Sequence, residues 1–200
     1  MSIVAGLDLS LTNSGIAVLT DGRPTLLTSV GHGGKNGASW EQRSRRIVSQ
    51  SRAVMAALQQ AVDPPYPPGP WTIDLAVIEG PSYASEFGDQ FDRAALWWGV
   101  YSALSAKRVP IAVVAPKTRA KWATGKDVEG NGNSKKRAVF AAVKDEWSTL
   151  GVHVRDDDIA DALTIAAMGA LKLGEPLPIA VHQWRINGLE SVTWPSVVTV

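Results

Sequence analysis

Ile3-Val4-Ala5-Gly6-Leu7-Asp8-Leu9 is a short apolar run interrupted near its end by one carboxylate. Its length and composition predict a buried strand. Residues 14–20 and 25–30 predict two more strands, separated by the turn signal Asp21-Gly22-Arg23-Pro24. A glycine-rich loop, 31–37, leads into a long helical pattern over 38–62, with Ser39 as N-cap and Gln42 three residues on. Asp63-Pro64-Pro65-Tyr66-Pro67-Pro68-Gly69-Pro70 ends that helix and reads as a stiff connector to a strand over 73–79. A helix over 89–108, a strand over 110–115, a short helix over 116–124, a loop over 125–133 and helices over 134–150 and 156–173 complete the pattern. Three strands meander and later strands alternate with helices. Crossovers of that kind set the later strands parallel to the first. The expected class is α/β: a five-stranded mixed sheet with helices on both faces. Residues 1–173 form the expected domain, and the tail 174–200, with its Pro, Trp and alternating Val, has no assigned place.

The chain has 200 residues, 45% of them hydrophobic and 20% charged, with no cysteine. That suits one domain with a substantial core. It excludes a disulfide-stapled domain and a Cys-ligated zinc module. No apolar run approaches the roughly 20 residues of a membrane span. The N-terminus lacks a basic n-region and meets Asp8 early, so it is not read as a signal peptide, and a cytoplasmic location without membrane partners is expected.

Net charge is only +1, but it is segregated. Lys107, Arg108, Lys117, Arg119, Lys121, Lys126, Lys135, Lys136 and Arg137 face only Asp127 and Glu129 within their segment, a local +7. A polyanion-binding face beside an acidic site would look like this. By charge alone, a solvated surface accounts for it equally simply.

The acidic residues are more pointed. Asp8 and Glu79 end apolar strands at the same relative depth. If those strands are parallel neighbours, both carboxylates emerge at one sheet edge, where open α/β sheets bind ligands. Arg155-Asp156-Asp157-Asp158-Ile159-Ala160-Asp161 opens the last helix. Asp158 and Asp161, or Asp157 and Asp161, share a helix face, and Asp156 or Asp157 suits the N-cap. Singly, each is a turn former or a cap. Together, buried like charges require a cation. Oxygen donors without Cys or paired His point to magnesium or manganese. Four carboxylates can hold two ions roughly 3.5–4 Å apart, the arrangement that drives phosphodiester hydrolysis.

Three segments then carry a resemblance. Gly6-Leu7-Asp8-Leu9-Ser10-Leu11-Thr12-Asn13-Ser14-Gly15, Ala76-Val77-Ile78-Glu79-Gly80-Pro81 and Asp158-Ile159-Ala160-Asp161-Ala162-Leu163-Thr164-Ile165-Ala166 resemble, in order and spacing, the acidic motifs of RuvC-type Holliday junction resolvases. The resemblance implies an RNase H-like fold and a homodimer that cuts four-way DNA junctions with Mg2+, Mn2+ substituting, two ions per site. It implies Asp8, Glu79, Asp158 and Asp161 as catalytic metal ligands. Val114-Ala115-Pro116-Lys117-Thr118-Arg119 and Asn131-Gly132-Asn133-Ser134-Lys135-Lys136 resemble the family's DNA-contacting stretches, which implies DNA contacts from Lys117, Arg119, Lys121, Lys135 and Lys136. Ser134 as a cap with two lysines also makes a phosphate site on physical grounds, although Lys135 equally fits a solvent-facing helix lysine. Relatives place a base-stacking aromatic just past the second acidic motif. Here Ser82 holds that spacing, and Tyr83 beside it takes the expected role. The proline-rich bridge and the tail depart from the family, as in phage-encoded members with a broader range of branched substrates. The helix carrying Trp97 and Trp98 is the expected dimer face.

Two other readings remain: a non-catalytic RNase H-like nucleic-acid-binding module, and a fragment of an actin/sugar-kinase-like ATPase, whose first strand also carries Gly-x-Asp.

Overall fold

In a computed structural model, the structure describes residues 1–62, 71–81, 90–129 and 132–196. The bridge 63–70 and Tyr83 lie outside the described residues.

Strands β1 (Ile3–Asp8), β2 (Ser14–Thr20), β3 (Arg23–Val30), β4 (Leu75–Glu79) and β5 (Ile111–Val114) form one sheet in the order β3-β2-β1-β4-β5. β1 to β3 pair antiparallel; β4 and β5 run parallel to β1. This is the expected mixed sheet. The hairpin β2–β3 turns at Asp21 and Gly22, both with positive φ. A side chain at Gly22 would also strike the Pro176 carbonyl.

Helices α1 (Trp40–Val62) and α2 (Gln90–Ala106) cover one face, and α3 (Pro116–Thr124), α4 (Gly132–Ser148) and α5 (Asp157–Lys172) cover the other. The side-chain alternation of the strands divides the core in two. Ile3, Ala5 and Leu7 join Val54, Leu58, Leu96 and Val100 under α1 and α2. Val4, Val77, Leu75 and Ala112 join Leu163, Ala166 and Met168 of α5. The capping box at α1 forms as its sequence predicts: Ser39 N donates to Gln42 Oε1 at 2.9 Å, and Gln42 N donates to Ser39 Oγ at 3.3 Å.

α5 lies unusually close to the sheet, and two glycines permit it. A Cβ at Gly6 would stand 2.1 Å from the Ala162 carbonyl oxygen, and one at Gly15 would stand 2.0 Å from that of Asp158. Every residue from Ile159 to Ala170 is buried. The N-terminal end of α5 therefore sits directly above the ends of β1 and β2.

The tail is part of this packing. Helix α6 (Gln183–Gly188) and a 3-10 turn over Leu189–Ser191 lie against α3, and Ile179 and Val192 join the α5-side core. Trp122 of α3 donates to the Arg185 carbonyl at 3.0 Å. Arg185, itself buried, forks onto Glu146 of α4 at 2.7 and 2.9 Å. Thr193 bridges Val113 on the outer edge of β5 and so covers a strand edge that would otherwise stand open.

Candidate active site

The register Leu7↔Ile78 puts Asp8 and Glu79 one step further on, at adjacent ends of β1 and β4. Period-two alternation sets Asp8 on the face of Val4 and Gly6, and Glu79 on that of Val77: the α5 face. Asp8 is paired in register with Gly15, and Asp158 lies directly over Gly15. One turn later Asp161 points down beside them, 4% exposed. Four carboxylates thus come from three elements to one place.

Local contacts hold each one. Asp156 caps α5, accepting from Ile159 N at 2.8 Å. Asp157 is turned to Lys136 Nζ at 3.2 Å. Asp158 accepts from Asn13 Nδ2 at 2.6 Å. The turn that presents Asn13 is itself clamped: Ser14 Oγ donates to Ser10 O at 2.8 Å, and the buried Gln50 amide donates to Ser14 Oγ at 3.0 Å and Val30 O at 2.6 Å. On the other side, Trp97 Nε1 donates to the Glu79 carbonyl at 2.9 Å and ties α2 to the end of β4.

Between Glu79 and Asp161 lies Arg119. Its Nε pairs with Glu79 Oε2 and its Nη1 with Asp161 Oδ1, and the residue is only 7% exposed. Arg119 was expected among the DNA-contacting residues; its placement is inside the acidic cluster, not on the surface. The reason is its position on α3. Arg119, Trp122 and Ala123 share the inward stripe of that helix, and Lys117 and Lys121 fall on the outward one. Those two lysines are exposed and lean toward Asp127, at 4.0 and 3.5 Å. Lys135 is exposed on α4.

The proton affinities follow from burial. Asp8 is raised well above the usual carboxylate range, first by desolvation and then by Glu79 and Asp161. Asp161 is pushed up to about 7 by burial, with Arg119 pulling against it. Burial also raises Glu79, opposed by Arg119, and raises Asp158, opposed by the Asn13 hydrogen bond. Desolvation works against the charge of Arg119, but Asp161, Glu79 and Asp8 outweigh it and hold its proton more firmly. Displaced proton affinities gathered at a strand-end cleft make this a candidate functional site. A groove of about 640 Å3 opens onto Asp8 and Glu79, walled by Ser10, Trp97, Trp98, Val113 and Lys136.

Among the described residues, no three acidic or histidine side chains stand together as metal ligands in this arrangement. The donor chemistry nonetheless fits a hard divalent cation: four carboxylates and no soft ligand. What stands among them is a guanidinium, whose positive charge partly offsets theirs.

No protein-family model matches the sequence, and no curated protein is similar to it. Solved structures are. The Thermus thermophilus RuvC structure superposes with a TM-score of 0.59 at 18% identity, over 88% of this chain and 99% of that one. The same protein in complex with Holliday junction substrate gives 0.59 and 18% over 84% and 91%. The yeast mitochondrial Holliday junction resolvase Ydc2 gives 0.52 at 17% over 94% and 80%. The fold is RNase H-like. Within it, the four carboxylates singled out from the sequence come together, and sequence reasoning missed three residues that contact them: Arg119 as a buried partner, Asn13, and Trp97 as the anchor of Glu79. The spacing Arg119–Trp122–Ala123 was a readable signal for the first. Asn13 lies within the opening motif. For Trp97 the sequence carried no signal of that particular bond.

Proposed function

We propose that this chain is a divalent-metal-dependent, structure-specific endonuclease that resolves Holliday junctions, and related branched DNA, by paired phosphodiester hydrolysis. The observation that carries the reading is the convergence of Asp8 and Glu79, at neighbouring strand ends of an RNase H-like sheet and open to the groove, with Asp158 and Asp161 of α5 packed against them. These four would hold two ions, Mg2+ or in its place Mn2+. When bound, such ions supply an activated water and stabilise a leaving 3′ oxygen. The chain's own residues do the rest. Asn13 and the Gln50 clamp fix Asp158, and Trp97 fixes the backbone of Glu79. Lys136 stands on the groove wall, with Lys135, Lys117 and Lys121 exposed nearby to take phosphates. Tyr83 is the proposed stacking residue.

A four-way junction is two-fold symmetric and resolution needs two opposed nicks, so the working unit is a C2 homodimer. α2 supports that assignment: Phe91 is 82% and Trp98 58% exposed on its outer side. No helix among the described residues is long and apolar enough to cross a membrane. We place the protein in the cytoplasm, that of a bacterial host if it is phage-encoded.

Arg119 favours a second reading. A guanidinium between Glu79 and Asp161 would let the fold persist as a non-catalytic nucleic-acid-binding module. One experiment separates the two. A labelled four-way junction, a matched duplex and a flap are incubated with protein, with and without Mg2+, beside Asp8→Asn. Symmetric nicking of the junction that needs Mg2+ and is lost in Asp8→Asn supports the nuclease. Tight junction binding without nicking in either protein supports the module. ATP hydrolysis without either would point to a kinase-like activity.

A further inference from the structure

Arg119 is the cation that enters the acidic cluster itself, while Lys136 stands at its edge, paired with Asp157. We infer that Arg119 is a displaceable internal cation: its guanidinium occupies the ground between Glu79 and Asp161 that a divalent ion must take, so metal entry requires the arginine to withdraw. The inference rests on the nuclease reading above and adds a positioning residue that sets how readily the site is loaded.

Three observations support it. Arg119 contacts Glu79 and Asp161 through two different nitrogens of its fork, so it spans the gap between them and is not a partner of one alone. It contributes one positive charge to a set of four buried or half-buried carboxylates. Asp8 sits beside this pair without such a pairing of its own among the described residues. Even with Lys136 paired to Asp157 at its edge, the carboxylates outnumber the cations, and a doubly charged ion matches them better than the guanidinium alone. Finally, the backbone of α3 is not free to follow. Trp122 is bonded to Arg185, the αL glycine Gly125 packs beneath the Trp184 ring, and Gly188 lies under Trp122. Withdrawal is thus a swing of the Arg119 side chain on a fixed helix, while the tail holds the helix in place.

The test reads metal binding and the arginine, not cleavage. Mn2+ affinity is measured by electron paramagnetic resonance on DNA-free protein for wild type, Arg119→Met and Arg119→Lys. Arg119→Met is expected to bind Mn2+ about tenfold more tightly or better, the value of a lost charge-assisted pair as competitor. Arg119→Lys, with a single-point charge and shorter reach, is expected between the two. In wild type labelled with 15N, the Arg119 Nε–H resonance, assigned by its absence in Arg119→Lys, is expected to be protected in EDTA. It should be lost in step with Mg2+ saturation. If Arg119→Met does not fold without metal, that wild-type titration decides the matter alone. A resonance that persists at saturating Mg2+ overturns the inference, as does equal Mn2+ affinity in wild type and Arg119→Met; the metal site itself then stands. Failure of wild type and both variants to take up either ion overturns the inference together with the nuclease reading.

Discussion

Asp161 gives the sharpest handle on the electrostatics of the metal-free protein. Its ordinary value of 3.8 rises to about 7 in the fold, with burial as the largest cause. A folded-state value above the unfolded one means that the native state binds the extra proton between the two. Stability is therefore highest at low pH and falls as pH rises through that window. The whole shift is roughly three pH units, or about 4 kcal/mol at ~1.36 kcal/mol per unit. Integrated only between about pH 5 and about pH 8, the loss is about 2–3 kcal/mol. That is a large fraction of the 5–15 kcal/mol typical of a domain, roughly. For a chain of this size it corresponds to a fall in Tm of about 5–10 °C. The perturbation is Asp161→Asn, which keeps the shape and an acceptor oxygen for Arg119 but cannot ionise. Urea unfolding in EDTA at both pH values, for wild type and variant, gives the assay. The variant should gain about 2–3 kcal/mol on wild type as pH goes from the lower to the higher value. A wild-type-minus-variant difference that stays flat across the interval would refute the assignment of a raised proton affinity to Asp161.

Gly6→Ala should destabilise by at least the upper part of the usual overpacking range, about 1–3 kcal/mol, because the new methyl would meet the Ala162 carbonyl and the Ala166 amide of α5; an unchanged Tm would show that α5 can lift freely. Replacing Lys135 and Lys136 together with Ala should lower the slope of log K against log salt for junction binding by roughly 1.8, at about 0.9 per phosphate contact; an unaltered slope would leave both lysines facing solvent. Trp98→Glu should convert a dimer to monomer, read by light scattering with junction DNA present. Trp97→Glu should instead lower stability, since Trp97 is inside and bonded to the Glu79 carbonyl.

The sheet order was legible because each strand announces itself locally, and crossover handedness leaves little choice in how strands separated by helices are arranged. The convergence of Asp8 and Glu79 followed from that order, since both end apolar runs at the same depth. Arg119 was misplaced because segment charge was read without helix phase. Nine basic residues look like one surface until α3 is wound, and then one of them points inward with Trp122 and Ala123. The tail was illegible for a different reason. α6 is six residues long, too short to show a period, and its anchors Ile179, Arg185 and Val192 are scattered. The burial of Arg185 has no sequence signature at all, because the Glu146 that balances it is 39 residues away.

The site and the close packing of α5 on the sheet are one feature. Gly6, Gly15 and Gly169 let α5 press onto the strands, with a Cβ at the last meeting Val4 and Val77 methyls at 2.7 Å. That approach is what brings Asp158 and Asp161 over Asp8 and Glu79. It is also what strips them of water and raises their proton affinities. A looser helix would relieve the desolvation, but it would also carry the carboxylates apart. The close seam thus generates a demand for positive charge at one point of the fold, and the sequence meets part of it from within, with Arg119. What remains of that demand, at Asp8 where the groove opens, is met by a proton held there or by a cation from outside.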